Sequence, residues 1–129
     1  MKETLAVILK ASSREKESWF DDESINNFPC TDLRTINQLW VKYSDGRFGF
    51  SVQKKINLLY KADCYLEAWD KFCAHVGWKV KGNWIDYSNV AFNTSAPEGH
   101  LPFSGHGKAL LQSGGLLSFL ASRLGKCNI

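Results

Sequence analysis

Helices joined by tight turns dominate this sequence, and two short hairpin signals are all that separate a mainly α class from α+β. Three observations lead there. Apolar residues recur at helical spacing in successive stretches of the chain. Capping and turn residues separate those stretches. The segment 95–102, SAPEGHLP, holds two prolines and a glycine, which exclude regular structure through most of it.

Taken in order, residues 2–12 can make a short helix with Leu5, Ile8 and Leu9 on one side. Residues 12–24 are polar and charged around Trp19-Phe20, a loop or a tethered helix. Pro29 then stops what precedes it, and Thr31 can cap a helix running to about Tyr43 on Leu33, Ile36 and Trp40. Asp32 sits in its first turn, where the helix dipole favours a carboxylate. Ser44-Asp45-Gly46 is turn chemistry. After Arg47-Phe48-Gly49-Phe50, Ser51 can cap a second helix, with Val52, Ile56 and Leu59 sharing a face. Asp63 can cap a third, on Leu66, Trp69, Cys73 and Val76, with Gly77 placed to end it. Residues 116–124 return to helix on Leu116, Leu117, Leu120 and Leu124.

Two turns leave the class open. Asp45-Gly46 between apolar runs satisfies the rule for a type I′ hairpin over 41–50. Lys81-Gly82-Asn83 does so more weakly over 78–87. On residues alone these turns read as α+β.

Length and composition narrow the function classes. A chain of 129 residues is one domain by size. The net charge of +3 is spread rather than gathered, with Lys54-Lys55 and Lys79/Lys81 the densest pairs, which argues against a nucleic-acid binder. The four cysteines show no Cys-x-x-Cys and no zinc spacing. No secretory leader is legible at the N-terminus, and no apolar run approaches a membrane span. The expectation is a cytoplasmic or plastid stroma-like protein, not secreted and without an integral membrane segment. Its thiols are expected reduced, with Cys30 and Cys73 as small buried hydrophobes.

No nucleophile–base–acid arrangement stands out among His75, His100 and His106, and no phosphate-binding loop or Gly-x-Ser-x-Gly occurs. The expectation is therefore no enzyme, no catalytic residues and no metal site.

The blocks Phe28-Pro29, Asp32-Leu33-Arg34-Thr35-Ile36, Leu39-Trp40-Val41 and SDGRFGFSVQK over 44–54 follow one another in order. Val76-Gly77-Trp78, Ser95-Ala96-Pro97 and Gly99-His100-Leu101-Pro102 come after them. In order and spacing they resemble the GUN4 domain family over roughly 25–102. The resemblance implies a mainly α, compact helical domain with a cupped ligand groove formed by loops. It favours that class over α+β, with 1–24 as a lead-in and 25–129 as the core domain.

The resemblance also implies a function. GUN4 proteins bind porphyrins, including protoporphyrin and its magnesium form, and act on magnesium chelatase through its porphyrin-binding subunit. No cofactor is required; the tetrapyrrole is the ligand. Such a ligand is a flat apolar disc with carboxylates on its rim, so its site needs apolar walls and cations or N–H groups.

Carried over by position, the family's groove points to Val41, Phe48 and Phe50 on one side, with Arg47 placed for a carboxylate. On the other side stands Phe92, where many members have Trp. His100 can serve as a ligand, or can bond backbone and hold a loop. Longer members carry an arginine-bearing loop after the His-Leu-Pro block. Here FSGHGKALLQSGG offers Lys108 as its only fixed cation, a point charge rather than a fork. Asn37 stands where Asp is usual. An alternative role is a GUN4-like sensory or interaction module reading a bilin, haem or another ligand outside chlorophyll synthesis.

Overall fold

A computed structural model describes residues 26–60, 66–103 and 122–129. The expected elements at 2–24, the Asp63 cap, and Leu116, Leu117 and Leu120 lie outside the described residues. Elements are numbered as they occur among the described ones. They run α1 (Cys30–Tyr43), α2 (Phe50–Tyr60), α3 (Leu66–His75), β1 (Lys79–Val80), β2 (Asn83–Trp84) and a 3-10 turn (Tyr87–Asn89). The chain is helical again over 122–126. The class is mainly α, as the resemblance implied.

The two turn signals resolve in opposite senses. Asp45 and Gly46 both take positive φ, as a type I′ turn requires, yet they end a helix. The Gly46 N–H reaches back to the Val41 carbonyl at 2.9 Å and closes the end of α1. The weaker signal makes the hairpin. Lys81 and Gly82, with φ of 50° and 78°, join antiparallel β1 and β2 in the register Lys79↔Trp84, Val80↔Asn83. Both dipeptides supply nearly the same φ values; the flanking chain decides what the turn connects.

The caps also depart from expectation. Thr31 lies inside α1 and is exposed, while Pro29 occupies the N-cap position without a side-chain cap. Ser51 lies inside α2, and its own N–H is bonded by Asn37 Oδ1 from α1 at 2.9 Å. The cap of α2 is thus supplied by a neighbouring helix. Gly77 does end α3. Its N–H bonds the Ala74 carbonyl and the Trp78 N–H bonds the Cys73 carbonyl, the paired bonds of a Schellman motif.

Among the described residues, two apolar clusters form the interior. The larger joins Phe48, Val52, Ile56, Phe72, Cys73, Val76, Trp78, Val90, Ala96, Leu101 and Phe103. The smaller joins Phe28, Leu33, Ile36, Phe50, Leu124 and Cys127. Leu59 does not share the inner face of α2: it is 76% exposed, and buried Gln53 and Asn57 take part in that face instead. The helix is rotated so that two polar side chains point inward.

The cysteines correct the expectation of reduced thiols. Cys30, half-buried at the start of α1, forms a disulfide with buried Cys127 across 97 residues. Cys73 remains a free thiol in the larger cluster.

Candidate functional site

The corner between α1 and α2 is built from its backbone outward. Ser44 Oγ donates to the Trp40 carbonyl at 2.7 Å and accepts from the Phe48 N–H at 2.8 Å, which turns the chain sharply after α1. Gly49 then adopts a φ of 127°. A Cβ there would lie 2.9 Å from Val41 Cγ2 and 3.0 Å from Asn37 Oδ1. The close approach lets Phe48 and Phe50 leave in different directions, one into each cluster.

The segment 95–102 is bonded directly onto this corner. Arg47 Nη2 donates to the Ala96 carbonyl at 2.8 Å, and the Arg47 carbonyl accepts from the Gly99 N–H at 2.9 Å. The Gly49 N–H donates to the Leu101 carbonyl at 2.9 Å. From α2, buried Gln53 Nε2 donates to the Gly99 and Pro102 carbonyls at 2.9 and 2.8 Å. Trp78 Nε1 donates to the His100 carbonyl at 2.8 Å. A segment that cannot form secondary structure has its polar groups answered one by one from neighbouring elements.

His100 stands at the middle of this arrangement, 2% exposed. Its Nδ1 lies 2.7 Å from the Val76 carbonyl, which makes Nδ1 the donor. Its Nε2 accepts from the Ala91 N–H at 3.2 Å. Both ring nitrogens are thereby committed to backbone, and the reading of His100 as a loop-holding residue replaces that of a ligand.

The other site residues divide by exposure. Phe48 and Phe50 are 3% and 4% exposed, so they are interior residues and present no ring to an incoming molecule. The physical reason is the Gly49 bend, which aims both side chains inward. Val41 is half-buried and packs on the larger cluster. Arg47 is exposed although one of its amino groups is engaged. Phe92 is 51% exposed, its ring 5.6 Å from that of Tyr87. Lys108 lies outside the described residues. Among the described residues the accessible set is therefore Val41, Arg47 and Phe92, with Arg47 anchored at Ala96, four residues beyond Phe92 in sequence.

Sequence reasoning missed Gln53 and the bonding partners of Asn37 and Ser44. Each of the three is a polar residue in a helix or turn whose role depends on a partner 4 to 49 residues away. Among them only Ser44, beside an Asp-Gly turn, carried a local signal. Chemically, the site offers an aromatic face, an apolar edge and a guanidinium. Among the described residues there is no group of three or more His, Cys, Asp or Glu side chains that could hold a metal ion.

Comparisons with known proteins agree with this architecture. A family model described as GUN4-like matches residues 1–116. A Ycf53-like protein of Synechocystis sp. is 35% identical over 95 residues, covering 73% of this chain and 39% of that protein. A chloroplastic tetrapyrrole-binding protein of Arabidopsis thaliana is 31% identical, covering 78% of this chain and 40% of its own. The chain thus spans about two-fifths of the length of these relatives. The ligand-free structure of Arabidopsis thaliana GUN4 superposes with a TM-score of 0.73 at 30% identity, over 94% of this chain and 79% of that one. GUN4 from Chlamydomonas reinhardtii superposes with a TM-score of 0.77 at 26% identity, over 94% and 73%.

Proposed function

The chain belongs to the GUN4-like family, and from that premise we propose that it binds a tetrapyrrole and acts as an accessory protein rather than a catalyst. Family membership carries the reading, together with the chemistry of the accessible residues. Phe92 offers a half-exposed ring for the face of the macrocycle, and Val41 an apolar edge. Arg47 offers the guanidinium for a rim carboxylate. The bond to Ala96 fixes the head, and other guanidinium N–H groups would pair with the ligand. Phe48 and Phe50 set the backbone of the corner from beneath. His100 and Gln53 hold the 95–102 segment against it. The proposed partner is the porphyrin-binding subunit of magnesium chelatase.

The test is a titration of protoporphyrin, magnesium-protoporphyrin, haem and a bilin, followed by tryptophan quenching and pigment absorption. Saturable binding is expected, with Arg47→Ala and Phe92→Ala each raising Kd by about tenfold, the equivalent of about 1.4 kcal/mol. Arg47→Lys should recover only part of the loss, because an ammonium lacks the fork. Phe50→Ala is not a clean probe, since removing a buried ring costs about 3–5 kcal/mol of stability. Failure of every pigment to saturate removes the proposal.

A second reading has its own support. The FSGHGKALLQSGG stretch offers Lys108 where longer members carry an arginine loop. That favours a module reading a bilin or haem outside chlorophyll synthesis. Stimulation of magnesium chelatase by the pigment-loaded protein separates the two.

A further inference from the structure

Residues 122–129 are clasped to the rest of the fold in four ways, three at or just before the start of α1 and one from α2. The Cys30–Cys127 disulfide is covalent. Arg34 donates from Nε and Nη2 to the Cys127 carbonyl at 3.1 and 2.8 Å. In the reverse direction, Arg123 donates from Nε and Nη2 to the Phe28 carbonyl at 3.0 and 2.6 Å. Lys54 Nζ from α2 reaches the Ile129 oxygen at 2.7 Å. Beneath these clasps Leu124 and Cys127 pack with Phe28, Leu33, Ile36 and Phe50. The tail therefore seats Phe50, the residue that opens α2 at the aromatic corner.

We propose that the Cys30–Cys127 disulfide is a thiol switch: a dithiol reductant opens it in the folded protein, loosening residues 122–129 from Phe50 and weakening ligand uptake at the corner. The last clause rests on the tetrapyrrole reading above; the release of the tail does not.

The two sulfurs are not equivalent. Cys30 is half-buried, whereas Cys127 is fully buried. A reductant thiolate attacks Cys30 Sγ, forming a mixed disulfide and expelling Cys127 as a thiolate, which takes up a proton. The second thiolate of the reductant then attacks its own sulfur in the mixed disulfide. It leaves Cys30 as a thiolate and the reductant as a disulfide. Two electrons have passed to the protein, and the Cys30 thiolate takes up the second proton from solvent to complete the dithiol. In the first turn of α1 the helix dipole stabilises the departing Cys30 thiolate.

The remaining clasps fit reversibility. Arg34 and Arg123 sit at part-exposed positions, so their bonds hold the tail only intermittently once the covalent tie is gone. They also keep Cys127 close enough to Cys30 for the bond to re-form. In a thiol-reducing compartment, a disulfide in a folded protein is characteristically one that turns over.

The experiment treats the intact chain with dithiothreitol at about pH 8, where thiolate is available, and counts free thiols by alkylation and mass. Hydrogen exchange then reads the Cys127, Asn128 and Ile129 amides, which bond the Arg123, Gly125 and Leu124 carbonyls. The expected result is two new thiols without denaturant, exchange of these amides accelerated at least about tenfold, and recovery on reoxidation. Protoporphyrin affinity is expected to fall at least about threefold in the reduced state. Cys30→Ser should reproduce the reduced state and no longer respond to dithiol. The reduced wild-type chain carries the same test should that variant not fold. A bond that opens only in denaturant, or opens without accelerating the tail, overturns the switch. Unchanged affinity despite tail release overturns its coupling to the corner. If no pigment binds in either state, the tetrapyrrole reading fails, and the exchange data still decide the switch.

Discussion

At Gly49 three constraints coincide: a backbone angle that L side chains rarely adopt, and two side chains pressed against the place a Cβ would occupy. Gly49→Ala is expected to cost about 2–4 kcal/mol, since backbone strain and overpacking add. Urea unfolding measures it. Cys73 makes a different prediction. Burial pushes its thiol up from about 9 to about 12, with the Asp70 charge adding and Lys79 partly opposing. A raised folded pKa means that the unfolded chain gives up this proton first as pH rises. Cys73 therefore contributes no loss below about pH 9, and stability falls by up to about 1.4 kcal/mol per pH unit between about 9 and 12. Cys73→Ala should flatten that slope in unfolding curves across alkaline pH. A slope unchanged by the substitution contradicts the assignment.

The elements show how far a local pattern carries. The helical face of α3 was legible from Trp69, Cys73, Val76 and Gly77, since its periodicity and its stop agree. For α2 the pattern misled. Val52 and Ile56 are inside, but Leu59 is out, because Gln53 and Asn57 are turned inward. Nothing in the spacing reports that Gln53 will find two carbonyls of the 95–102 segment. Likewise Ser51 has the residue type of an N-cap, but the acceptor that serves α2 comes from Asn37 on α1. Asn37→Ala is expected to destabilise the domain by about 1–2 kcal/mol, and Asn37→Asp by much less, because the carboxylate retains the acceptor. Thermal melts of the two variants check it. Equal losses would show that Asn37 acts through packing rather than as a cap.

On the scale of the whole molecule, the disulfide ties the start of α1 to residues 122–129 and closes a loop with a sequence separation of 97. Loop closure of that size restricts the unfolded chain, so reduction is expected to lower the unfolding free energy by about 4–5 kcal/mol. Urea titrations with and without reductant measure the difference; a loss near zero contradicts the link. What depends on near neighbours and on motif order is legible in the order of residues. That includes the helical faces of α1 and α3 from their periodicity, the stop at Gly77, the irregular 95–102 segment from its prolines, and the family from its blocks of residues. Tertiary structure alone decided the rest. It chose which of two glycine turns became a hairpin and buried both rings of the aromatic corner. It also committed His100 to backbone at each nitrogen, and it paired Cys30 with Cys127. In each case the deciding partner lies across the fold, and a linear sequence records residue types without the distances between them.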